Sequence, residues 1–175
     1  MAKVPFSKLK CKINEDTIPL QIGEETIAVK QYLPIQEKLE LIGNVVMAAH
    51  EQDANYSNPV KANVYRDLEV VFAYTNINFT DKQKEDLPKL YDILKSSGVL
   101  DNIIKAIPVT EYDDICAGVW QSINSIYAYQ NSVLGILDTI KTDYNNMKLD
   151  IDSLNHAITD PETLEFVKAL LTNVN

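Results

Sequence analysis

The sequence predicts a mainly α fold, a helical bundle with one long helix and a small N-terminal antiparallel β-hairpin or three-stranded sheet. Three patterns predict it. Apolar residues alternate with polar ones over positions 9–29, they recur every three or four residues from Pro34 to Thr75, and a single unbroken 4-3 spacing runs from Tyr112 to Tyr144.

The first pattern reads as strand. Leu9, Cys11 and Ile13 alternate with lysines, Asn14-Glu15-Asp16 offers a turn, and Ile18, Leu20 and Ile22 alternate again. Gly23-Glu24-Glu25 then offers a second turn before Ile27 and Val29. Two or three short strands cannot stand alone in water, so one face must pack on the helical part.

Pro34 suits a first helical turn, and Ile35, Leu39, Ile42, Val46 and Ala49 form the stripe of the helix that follows. A second helix starts after the cap Asn58, with Pro59 at its first position and Val60, Val64, Leu68, Val71 and Thr75 as its inner face. The polar segment 51–57 between them reads as a loop. Thr80 with Gln83 makes a capping box, and because Pro88 lies too deep for one helix from there, a short turn and a restart near Asp86 are expected. That restart stops at Gly98, and an apolar helix from Val99 to Ile107 ends at Pro108.

The third pattern is the longest. Tyr112, Cys116, Val119, Ile123, Ile126, Gln130, Val133, Leu137, Ile140 and Tyr144 form a heptad seam in which Gln130 is the polar interruption among aliphatic and aromatic positions. A second stripe beside it, Gly118, Ser122, Ser125, Tyr129, Ser132, Ile136 and Thr139, is mostly small and permits close approach of another helix. A helix of about 35 residues would span about 50 Å at 1.5 Å per residue, more than a domain of this size needs. Two uses follow: the spine of an intramolecular bundle, or an intermolecular coiled coil or docking rail. Gln130 fits both, as a satisfied buried group or a register-setting one. Gly118 and Gly135 lower helix propensity and mark where a break or kink would fall.

The expected organisation is a single domain over 1–148, with a hairpin at 1–33 and a helical bundle at 34–148, followed by an acidic tail at 149–175. In the tail, Asp160-Pro161 reads as a helix start and Leu164, Val167, Leu171 and Val174 as a stripe that docks on its own domain or in a groove of another protein.

Composition bounds the function. Sixteen basic and 25 acidic side chains among 175 residues give a net charge of −9, and hydrophobic residues make up 46%. Such a chain folds, and its acidic long helix repels phosphate backbones, which argues against nucleic acid as a primary ligand. The cluster Lys3, Lys8, Lys10 and Lys12 is the basic exception and reads as solvated lysines. Cys11 and Cys116, far apart and without a CxxC, fit a reducing compartment. Neither a signal peptide nor a run of about 18 apolar residues is found, so no membrane partner is expected.

Each pattern that would carry chemistry fails on spacing. His50-Glu51 lacks the second histidine of a zinc protease, and His156 has no ligand neighbours, so both histidines read as surface or interface residues. Asp150-Ile151-Asp152 begins like a calcium loop, but Leu154, Asn155 and Pro161 occupy positions that need a ligand, a glycine and a glutamate. Glu111, Asp113 and Asp114 sit in the first turn of the long helix, where its dipole favours negative charge. No glycine-rich phosphate loop or nucleophile motif is present; the expectation is a non-enzyme without cofactor or metal. Nine tyrosines and Trp120 point instead to protein contact: Tyr112, Trp120, Tyr127 and Tyr129 lie around one helix and cannot all face one seam. The expected interaction element is the helix from about Glu111 to Tyr144, through Tyr112, Val119, Trp120, Ile123, Ile126, Tyr127, Tyr129, Gln130, Val133, Leu137, Ile140 and Tyr144.

Residues 29–38 (VKQYLPIQEK), 74–80 (YTNINFT) and 132–137 (SVLGIL) together resemble small proteins encoded by bacteriophages of Firmicutes, over about residues 25 to 145. The resemblance implies virion morphogenesis, where small helical proteins with a β-hairpin act as assembly factors or minor structural components. On that footing the expected partner is another copy or another phage protein, and the expected location is the cytoplasm of the infected host or the virion. An inhibitor of a host defence or regulatory protein is the alternative, for which a small acidic surface suits occlusion of a basic site.

Overall fold

The computed structural model describes residues 3–51 and 56–146. Within them the protein is mainly α, with two small antiparallel sheets of two strands each. The chain divides into two compact units, one ending at Ile126 and one beginning at Tyr127. The expected boundary at 148 and the tail helix beyond it lie outside the described residues.

The first unit opens with an arm. Pro5 starts a 3-10 turn over Phe6–Leu9, which Lys10 ends at a left-handed φ of 53°. Leu9, Cys11 and Ile13 were expected to alternate along a strand; instead every residue from Lys3 to Pro19 is exposed and the sheet is two-stranded. Alternation makes a strand only where one face finds cover, and no second strand among the described residues pairs with this segment.

Strands β1 (Thr17–Ile22) and β2 (Glu25–Lys30) pair in register from Thr17 opposite Lys30 to Ile22 opposite Glu25. Gly23 takes the turn's φ of 61°, a conformation that costs glycine little. The far edge of β2 is tied to the helical part: Asn76 Oδ1 accepts the Ala28 N–H at 2.9 Å, and Val29 bridges Thr75. Since the Ala28 N–H points away from β1, the Ala28–Pro19 pair is a non-hydrogen-bonded one. The donor that Pro19 lacks therefore falls on the outer edge, where the ladder does not need it.

Helix α1 (Ile35–Ala49) leads through a short ladder, β3 (His50–Glu51) with β4 (Tyr56–Ser57), into α2 (Pro59–Tyr74), and the two helices pack together. Asn58 caps α2 by accepting from the N–H groups of Val60 and Lys61. The inner face of α1 is Leu41, Val45, Val46 and Ala49, with Lys38. The expected stripe is thus buried in its second half alone, and Ile35 and Leu39 stay 65% and 57% exposed.

Thr80 and Gln83 form the capping box of the one-turn helix α3 (Asp81–Lys84), and Asp86 caps the restart α4 (Leu87–Ser96). Gly98, at φ 74°, turns the chain into α5 (Val99–Ala106), which lies against α2, α4 and β1. Val29, Leu33, Leu68, Val70, Leu100, Ile103 and Ile115 are buried to 1% exposure or less, so hairpin and helices share one core.

The long helix is two helices. Helix α6 (Val109–Gln130) ends, and α7 (Val133–Asn146) begins, around Asn131-Ser132. Ser132 is the cause. Its Oγ donates to the Tyr129 carbonyl at 2.6 Å and accepts the Gly135 N–H at 3.1 Å, which closes one helix and caps the next. Gly135 makes the turn possible, because a Cβ there would lie 2.1 Å from the Tyr129 carbonyl oxygen.

Candidate interaction surface

The start of α6 carries a buried polar network that spacing did not reveal. Glu111 is 9% exposed, and its carboxylate accepts from Lys38 Nζ at 2.8 Å, Tyr74 Oη at 2.9 Å and the Leu33 N–H at 3.1 Å. Glu111 sits in the first turn of α6 as expected, and it is buried there, while its neighbours Asp113 and Asp114 are exposed. Burial pushes the Glu111 carboxyl up, but the three donors outweigh it and hold the group below its ordinary value. Tyr74 is shifted upward by burial and by donating to that carboxylate.

A parallel arrangement joins α6 to α2. Asp67 Oδ1 accepts from Arg66 at 2.7 and 3.0 Å and from Tyr112 Oη at 2.9 Å, and the Arg66 guanidinium lies 5.3 Å from the centre of the Tyr112 ring. Burial first, and then the charge of Asp67, push the Tyr112 phenol up; burial also raises the Cys116 thiol. In each network a carboxylate receives a cation and a tyrosine hydroxyl, which ties α6 to α1 at Glu111 and to α2 at Tyr112. Both networks thus orient α6 against its neighbouring helices.

Of the twelve residues expected to form the interaction element, five lie in the first unit and seven in the second. In the first unit Val119 and Ile123 are core, while Tyr112, Trp120 and Ile126 are half-buried. The residue of that turn that reaches full burial is Ile115, outside the seam. In the second unit Tyr127 and Gln130 are half-buried and Tyr129 is exposed, its hydroxyl donating to Asp138. Val133 and Leu137 are exposed at 75% and 55%, beside Leu134 at 69% and Ile136 at 51%. Ile140 and Tyr144 lie on α7, but their side chains are outside what the structure describes.

Other candidate sites are weaker. A groove of about 510 Å³ between α3 and α4 mixes Lys82 and Lys89 with Glu85 and Asp86, so it offers no single charge to a ligand. Among the described residues, no group of three or more histidines, cysteines, aspartates or glutamates is placed to hold a metal, and no helix is long and apolar enough to cross a membrane. His50 is half-buried with its Nδ1 enclosed, so it is less a surface residue than expected; His156 lies outside the described residues. No protein-family model, curated protein or solved structure matches the chain.

Proposed function

We propose that this protein is a non-catalytic protein-binding factor, a bacteriophage virion structural or assembly component of the tail-assembly-chaperone or minor-virion type, and that α7 carries its principal contact. The observation that supports the contact is the apolar face of α7, where Val133, Leu134, Ile136 and Leu137 stand between 51% and 75% exposed on two turns of helix. Four large aliphatic side chains on so short a stretch make a contiguous apolar patch of the kind that protein interfaces cover. The bacteriophage setting rests on the resemblance of residues 29–38, 74–80 and 132–137.

The test is Val133→Asp with Leu137→Asp. Both side chains are exposed, so the urea midpoint should move by less than about 0.5 kcal/mol equivalent, while self-association that persists at high salt in light scattering, or co-purification with a co-expressed product of a neighbouring gene, should be lost. A variant that associates as the parent does would remove α7 from the contact. Capture of a host defence or regulatory protein through the same face would favour the inhibitor reading.

A further inference from the structure

A second unpartnered surface lies in the first unit, on the arm that precedes β1. Val4, Phe6, Leu9 and Ile13 expose 56% to 73% of their surface, interleaved with Lys3, Lys8, Lys10 and Lys12. Over residues 3–13 the arm thus carries four positive charges and no negative one, and Glu15 and Asp16 follow before β1. With these four lysines set aside, the rest of the chain holds 12 basic against 25 acidic side chains, a net −13.

A complementary patch exists on the same unit. Lys38 Nζ lies 3.8 Å from Asp114, and Ile42 packs on Gly118 closely enough that a Cβ there would meet it at 2.5 Å, so α1 and α6 run side by side. Ile35 and Leu39 precede Ile42 by seven and three residues and share its side of α1. They stand exposed there on either side of Lys38 in the chain, and the Asp114 that Lys38 reaches has a side chain 72% exposed, with Asp113 before it in sequence. Apolar ground with an acidic lip is the counterpart of an apolar arm with lysines.

We propose that the arm of one copy docks on the Ile35–Leu39 and Asp113–Asp114 patch of a second copy. The occupant is a second copy because the two surfaces belong to one chain and match in charge and in apolar character. The contact is heterologous, arm to patch, so each copy keeps a free arm or a free patch after pairing, and copies add head to tail into a ring or an open chain. Opposite charges on exposed groups make the association salt-sensitive. It is separate from the contact through α7, and different variants report on each.

Light scattering of the full chain from low to high micromolar concentration, at low and high salt, tests it. The expected result is a mass that rises above the 19.7 kDa monomer with concentration and falls with salt. Lys8→Glu/Lys10→Glu/Lys12→Glu, and separately Asp113→Lys/Asp114→Lys, should each abolish the salt-sensitive part of the rise in mass, with the urea midpoint confirming the fold. Mixing the two variants should restore the concentration-dependent rise in mass, because the reversed arm then meets the reversed patch and the unchanged arm meets the unchanged patch. A wild type that stays monomeric throughout, an oligomer indifferent to both variants, or a mixture that fails to pair would each overturn the proposal. So would a monomer that binds phosphatidylglycerol vesicles through the arm, which would assign the arm to an anionic lipid surface.

Discussion

The two ends of the 4-3 pattern at 112–144 have opposite fates. In the part of α6 that belongs to the first unit, Val119 and Ile123 are core, and even a carboxylate, Glu111, is taken inside and satisfied. Along α7 the same spacing continues, and Val133 and Leu137 face outward. A heptad pattern therefore fixes helix and face; what covers the face depends on neighbours far away in sequence. Lys38 and Tyr74, 73 and 37 residues from Glu111, are such neighbours.

The sharpest way to break the comparison is Glu111→Ala. It leaves the Lys38 ammonium, the Tyr74 hydroxyl and the Leu33 N–H without their shared acceptor, and removing one partner of a buried ion pair costs about 3–5 kcal/mol. The urea midpoint should fall accordingly. The group also sets a pH limit. Its folded pKa lies below its unfolded value near 4.5, so the carboxylate's contribution is full above that value and is lost as pH falls through the folded one. The acid side of the stability profile should therefore flatten in the variant. An unchanged midpoint and acid limb would mean that Glu111 is solvated and that the network does not hold it.

Tyr112→Phe is the milder break. It removes the hydroxyl that donates to Asp67 but leaves the ring beside Arg66 and the two Arg66 hydrogen bonds in place, so the loss should be about 1 kcal/mol. On the alkaline side the sign is the reverse of Glu111. The raised phenol destabilises the fold as pH climbs above its ordinary value of 10, so the variant should lose part of its alkaline lability. A calorimetric series from pH 7 to about 11 would show it, and a variant as alkali-sensitive as the parent would place that lability in other raised groups such as Tyr74 and Cys116.

Local signals in the sequence were reliable wherever the chain decides locally. Asn58 with Pro59, the Thr80–Gln83 box, Asp86 before Pro88, and Gly98 place helix ends where the structure has them, because a cap is a matter of three or four residues. The strand expected at Leu9–Ile13 and the fully inward stripe on α1 failed for one reason: both presumed a covering partner. The buried networks were illegible because Glu111 and Asp67 look like ordinary helix acids until Lys38, Tyr74 and Tyr112 arrive from other elements. Gly135 had marked the place for a break, but the seam continuing through it argued for one helix, and the cap written in Ser132 was passed over.

That cap gives the smallest and most local test. A Cβ at Gly135 would meet only backbone: the carbonyl oxygen and carbon of Tyr129 at 2.1 and 2.9 Å, and the Cα of Gln130 at 3.0 Å. No rotamer change relieves such contacts, so Gly135→Ala must open the turn, and alanine favours helix over glycine by about 1 kcal/mol, which drives 131–132 toward a continuous helix. The first unit should unfold with a midpoint shifted by less than about 0.5 kcal/mol, since none of its core is touched. The readout is Tyr129. Its phenol is raised by donating to Asp138 and by that residue's charge, a contact the turn creates between residues nine apart. In an unbroken helix nine residues span about 14 Å, and the contact is gone. Titration of the Tyr129 ring by NMR should then drop toward the ordinary tyrosine value of 10.0. A titration unchanged from the parent would mean that the turn stands without Gly135, and that the Ser132 cap alone divides α6 from α7.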